Sequence, residues 1–218
     1  MNPTEYYEML KARARELRSE QSWTEPRVGL SELKHLCHAK GIERIDLWPP
    51  ASCKGAKKRT KVRGLYTPND GHPCVMVNRH LPKEQRIFTL GHELKHHLYD
   101  RDGEAPMLCE KTVQKNTIEI GAEIFAAELI YPDGDFCRDL RARGVQNGRC
   151  TAEDLVRLKH DTLTSLSCAA LAKKAYRFGF APSGSFDKAA WRKIELHIFG
   201  EPEHVRIQRY RAARAVAR

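Results

Sequence analysis

Apolar residues return every three to four positions through much of this chain, the period of an amphipathic helix, and alternate with polar ones only in short stretches. Residues 4–20 place Tyr6, Met9, Leu10, Ala14 and Leu17 on one side, with Arg13, Arg15 and Arg18 elsewhere, which predicts a helix. Residues 30–40 repeat the pattern with Leu30, Leu33, Leu36 and Cys37, and Gly41 is placed to end it. Ile42–Trp48 alternates instead and reads as a strand stopped by Pro49-Pro50. Val62–Tyr66 and Cys74–Asn78 read as two more strands, and Thr67-Pro68-Asn69-Asp70-Gly71 between them is a turn signal, so a β-hairpin is expected.

The helical period then resumes. Ile87, Leu90, Leu94 and Leu98 form a stripe over residues 86–99, with Pro82 suited to a helix start. Residues 100–117 are polar and read as a mobile connection; Ile118, Ala122, Phe125 and Leu129 predict a buried helix over 118–130, ended by Tyr131-Pro132-Asp133-Gly134. After Arg143-Gly144 the character changes. Thr151 to Asp154 resembles a capping box opening a helix to about His160; residues 165–178 and 186–198 predict two more, and Pro202 opens a last, Arg-rich one. A boundary near residue 145 divides the chain into 1–145 and a helical region 146–218.

The composition adds limits. With 218 residues, 41% hydrophobic and 30% charged, the chain fits a globular protein, and no stretch approaches the roughly 20 apolar residues that span a bilayer. The first residues carry no basic segment followed by an apolar run, so no signal peptide is read. Seven scattered cysteines form no CxxC pair and read as reduced thiols of a cytoplasmic protein. The net charge of +10 favours an acidic partner or nucleic acid, and six basic residues without an acid between Lys54 and Arg63 read as a solvated loop.

The chemistry concentrates in His92-Glu93-Leu94-Lys95-His96. Four residues apart on a helix, His92 and His96 project from one face and can bind one zinc ion, with Glu93 beside it as a general base. A third ligand is needed. The helix at 118–130 offers Glu119 and Glu123 on one face, with Glu128 pointing roughly the opposite way, and spacing alone does not choose between the first two.

HELKH followed by EIGAEIFAAELIYP resembles the ImmA/IrrE family of metallopeptidases, whose second motif runs E-x-x-A-N-x-F-A-A-x-L-L-x-P. The resemblance implies an α+β fold: a zincin-like metallopeptidase core with a small antiparallel sheet and two buried metal-binding helices, then a helical C-terminal region. It also implies that Glu119 is the third metal ligand; 22 residues lie between it and His96. Glu123 stands where the family has Asn, one turn from that ligand. It is expected to accept a hydrogen bond from a ligand histidine and fix its tautomer.

Zinc lowers the pKa of its water to about 7, and Glu93 moves the proton. Tyr99, His97, His160 and Tyr131 are candidates for steadying the oxyanion, Lys95 is expected to face solvent, and Cys109 reads as an inert loop thiol. An edge of the hairpin at Val75, Met76 and Val77 is expected to hold the substrate as an added strand. The family implies a helix-turn-helix repressor as the protein substrate, cleaved to release stress or mobile-element genes. The alternative is a DNA-binding regulator or an antitoxin-like module with a structural metal, since the helices after residue 151 have helix-turn-helix proportions and the chain is basic. Specific DNA binding is not the favoured reading, because the turn between them lacks glycine.

Overall fold

A computed structural model describes residues 2–49, 62–68, 71–100 and 113–201. In chain order these form α1 (Pro3–Glu20), α2 (Leu30–Ala39), β1 (Arg44–Trp48), β2 (Gly64–Thr67), β3 (Cys74–Asn78), α3 (Lys83–Tyr99), α4 (Val113–Ile130), α5 (Asp133–Ala142), α6 (Ala152–Thr162), α7 (Cys168–Arg177) and α8 (Trp191–Phe199). The architecture is mixed and mostly helical. The basic loop at 54–61, Cys109 and the expected helix after Pro202 lie outside the described residues.

The hairpin forms as expected: β2 and β3 are antiparallel, with Leu65 opposite Met76. The sheet as a whole is not antiparallel, because β1 joins β3 in parallel, with Ile45 opposite Val75. The order is β1-β3-β2, so β3 is central. Val75 and Val77 are buried there, and the main-chain groups of β3 are shared between two neighbours. The free edge expected at Val75, Met76 and Val77 therefore does not exist. Among the described residues the edges belong to β1 and β2.

Three helices build the platform for the site. α1 packs on α4, and the contact is close because Gly121 has no side chain: a β-carbon there would lie 2.8 Å from both Leu10 Cδ1 and Tyr6 Cε1. α3 meets α4 at another small pair, Gly91 against Ala126, where an added β-carbon would be 3.4 Å from the alanine methyl. Leu90, Leu94, Ala122, Phe125 and Leu129 are fully buried around these crossings. The C-terminal end of α4 is held by Arg18. Its guanidinium donates to the carbonyls of Leu129 at 2.8 Å and Glu25 at 2.7 Å, and it is buried where the sequence pattern placed it off the apolar face.

Two boundaries differ from the sequence reading. α4 begins at Val113, in the stretch read as a mobile connection. Tyr131-Pro132-Asp133-Gly134 ends α4 but also opens α5, with Pro132 at the N-cap and Asp133 and Asp135 in the first turn. Asp133 ties α5 to the later helices: its carboxylate bonds Lys174 and Arg177 of α7 and lies 3.4 Å from Lys11 of α1. At α6, the expected capping box forms between Thr151 and Asp154.

Candidate metal centre

α3 carries His92 and His96 one turn apart, and the Gly91–Ala126 crossing brings the turn of α4 around Glu119 opposite them. Glu119 projects from that turn. His92 Nε2 lies 3.2 Å from Glu119 Oε2 and 3.1 Å from His96 Nε2, and His96 Nε2 lies 3.7 Å from Glu119 Oε1. One donor atom from each of the three falls within 4.8 Å of the others. Bonds of about 2.0–2.1 Å in a tetrahedral arrangement set donor atoms roughly 3.3 Å apart, so the spacing fits a divalent ion.

The hydrogen bonds around the group support the fit. Asp100, the residue that caps α3, accepts the Nδ1 proton of His96 at 2.5 Å. With that contact made through Nδ1, the ring turns Nε2 toward His92 and the Glu119 carboxylate. His92 Nε2 and the Glu119 carboxylate face the same point. A bound cation there can take one donor atom from each of the three.

Glu93 is buried beside this group, 7% exposed, where His92 and His96 are partly exposed and Glu119 is exposed. Burial pushes its carboxyl above the usual range; the charges of His92 and His96 and the backbone N–H of Tyr66 pull it back. β2 passes directly over it. A β-carbon at Gly64 would come 2.7 Å from Glu93 Oε1 and closer still to Thr89 Cγ2, so only glycine lets the strand approach this far. His97 holds the strand in place: its Nε2–H donates to the Lys40 carbonyl at 3.0 Å, which leaves Nδ1 to accept from the Tyr66 hydroxyl at 3.1 Å.

Several residues singled out by sequence lie elsewhere. Glu123 does not reach a histidine. One turn of helix carries it away from His96 toward α7, where its half-exposed carboxylate is 3.2 Å from Lys173. The contact expected of it, to a ligand imidazole, is made by Asp100. Lys95 does not face solvent. It is fully buried, with Nζ donating to the Asp100 oxygens at 2.7 and 2.8 Å and lying 3.4 Å from the Ile118 carbonyl. Tyr131 is buried and donates to Asp139 at 2.7 Å; Tyr99 packs edge-on against Phe125; His160 stacks on Phe199. None of these contacts reaches the histidine pair. The signal for Asp100 was present, since it follows His96 by one helical turn.

A family model, the IrrE N-terminal-like domain of a peptidase family, matches residues 53–166, a little over half of the chain. An "Uncharacterized immunity region protein 2" of Bacillus phage phi105 is 28% identical over 74 residues, 34% of this chain and 47% of that protein. The matched stretch thus spans about half of that relative's length. No described helix is long and apolar enough to cross a membrane.

Proposed function

The chain belongs to the IrrE N-terminal-like peptidase family, and from that premise we propose that it is a zinc-dependent endopeptidase cutting a regulatory protein. The observation that carries this reading is the convergence of His92, His96 and Glu119 beside a buried Glu93. His92 and His96 would give imidazole nitrogens to the ion and Glu119 a carboxylate oxygen. A zinc ion held there supplies a Lewis acid for the scissile carbonyl and makes its water acidic near neutral pH. Glu93 accepts the proton of the attacking water and passes it to the departing amine. Burial favours both halves of that task, because a carboxylate with a raised pKa is a stronger base and holds the proton until the amine takes it.

The substrate would lie along β2 instead of β3. β2 is an edge strand among the described residues, and its backbone crosses Glu93. An extended segment paired to that edge would bring a peptide bond over the general base, with main-chain hydrogen bonds giving register and little sequence preference. Selectivity would then come from a folded partner docking away from the site. A helix-turn-helix repressor is our proposal for that partner. A relative named for a phage immunity region supports it.

The test is to incubate the zinc-loaded protein with a repressor encoded beside it, with casein and with a peptide library. A single cut in the repressor supports the reading. Glu93→Gln should keep its zinc and lose about 10²–10⁴-fold in cleavage rate, because the amide accepts no proton. Full activity in that variant excludes the general-base role, and rapid, broad digestion of casein excludes a regulatory substrate.

A further inference from the structure

We propose that Lys95 and Asp100 act as one positioning pair that holds two of the three metal ligands, His96 and Glu119, in register across α3 and α4. The inference rests on the metallopeptidase reading and adds residues the motif does not contain. Asp100 caps α3 twice over: its backbone N–H donates to the His96 carbonyl at 3.1 Å, and its carboxylate accepts from His96 Nδ1 at 2.5 Å. The second contact fixes the ring about its own axis and leaves Nε2 as the ligand atom.

Lys95 closes the arrangement from below. Its ammonium has no exposure to solvent and bonds both Asp100 oxygens, so the buried cation and the partly buried carboxylate satisfy each other. It also lies 3.4 Å from the carbonyl of Ile118, the residue before Glu119, and 5.5 Å from the centre of the Tyr6 ring on α1. One cation thus touches the cap that orients His96, the backbone turn that presents Glu119 and the helix packed behind both. A lysine needed only for solubility would be on the surface, and one needed only to fill space would not be chosen over leucine, since burying a charge is costly without such partners.

The experiment measures zinc affinity by chelator competition in Asp100→Asn, Asp100→Ala, Lys95→Met and the Lys95→Met/Asp100→Asn double variant, on protein shown to be folded by circular dichroism. The imidazole nitrogens are read in parallel by nuclear magnetic resonance on the metal-free protein. Loss of an outer partner of a metal ligand typically costs about 10–100-fold in affinity, and each single variant is expected to fall in that range. Because the two residues act together, the double variant should lose less than the product of the single losses. Asp100→Ala should move the His96 proton from a fixed Nδ1 position to a mixture of tautomers.

Wild-type zinc affinity in Asp100→Asn and Asp100→Ala overturns the pairing, as does full multiplication of the two single effects. The Asp100 variants decide the matter alone if Lys95→Met does not fold. A wild-type chain that binds no zinc overturns this inference and the peptidase reading together. Weakened binding in the variants, with no substrate cleaved by the wild type, supports the positioning pair and removes the peptidase reading alone.

Discussion

Among the described residues, two clusters of charged side chains against α4 are built on opposite terms. In one, between α1, α4, α5 and α7, every acid meets bases: Glu128 is 2.7 Å from Arg15 and 3.7 Å from Lys174, and Asp133 bonds Lys174 and Arg177. Glu128 also accepts from the Asp133 backbone N–H at 2.9 Å. In the other, between α3 and α4, two imidazoles and Glu119 turn their acceptor atoms toward one another. The first cluster is electrostatically closed and holds helices together. The second gathers one donor atom from each of three side chains within 4.8 Å of one another, while its outer parts, Asp100 and Lys95, are satisfied. A cluster whose donor atoms converge on one point is a candidate metal site; one whose acids each meet bases is a joint.

That contrast is broken most severely at the ligands. Glu119→Ala removes the anionic donor, and the prediction is loss of bound zinc from purified protein by elemental analysis, with the far-ultraviolet circular dichroism unchanged. The residue is half-exposed at the surface of α4, so its removal leaves no cavity. Retention of stoichiometric zinc would mean that the converging acceptors are not the site.

The closed cluster should fail in the other direction. Asp133→Ala leaves the Lys174 ammonium and the Arg177 guanidinium without their shared carboxylate, and breaking a buried pair from one side costs about 3–5 kcal/mol. Burial already pushes Lys174 down to about 8, so this amine has little reserve against losing a partner. Urea denaturation should show that loss while zinc affinity in the folded protein stays within twofold. A loss of zinc affinity as large as that of the Asp100 variants would show that the two clusters are not independent.

A third prediction separates position from composition within the open cluster. Gly64→Ala changes no ligand and no acid, yet its methyl would collide with Thr89 and Glu93. Either β2 lifts away or Glu93 turns. A displacement near 1 Å at a reacting group costs about 10²-fold in rate, and that loss is expected in single-turnover cleavage with zinc content unchanged. An unimpaired Gly64→Ala would mean that the strand has room the geometry denies it.

The sequence made the inner part of the site legible because its information is local. A histidine pair four apart on an apolar-striped helix declares its face, and the second motif picked out Glu119. What it hid was tertiary. Nothing in the order of residues says that α1 lies behind α3 and α4, so Lys95, in a polar-looking position of the motif, reads as exposed, and Arg18 reads only as lying off the apolar side. Parallel pairing of β1 with β3 is a long-range choice that strand alternation does not encode, and it moved the free edge from β3 to β2. α5 is a different kind of miss. Proline followed by two acids is a helix start as well as a turn signal, and the glycine at 134 drew the reading toward the turn.

The smallest expected effect concerns Glu123, which sequence reasoning placed beside the metal. Its carboxylate is 53% exposed and its partner Lys173 is 75% exposed. At that exposure solvent screens the pair, and both long side chains lose freedom to hold one geometry, so such pairs contribute about 0–1 kcal/mol. A double-mutant cycle with Glu123→Ala and Lys173→Ala should give a coupling energy in that range that shrinks further in high salt. Zinc affinity should stay within twofold in each variant, because the hydrogen bond to His96 is made by Asp100. A tenfold loss of zinc in Glu123→Ala alone would return this residue to the metal, and would require α4 to turn so that the second exposed carboxylate, and not only the first, faces the histidine pair.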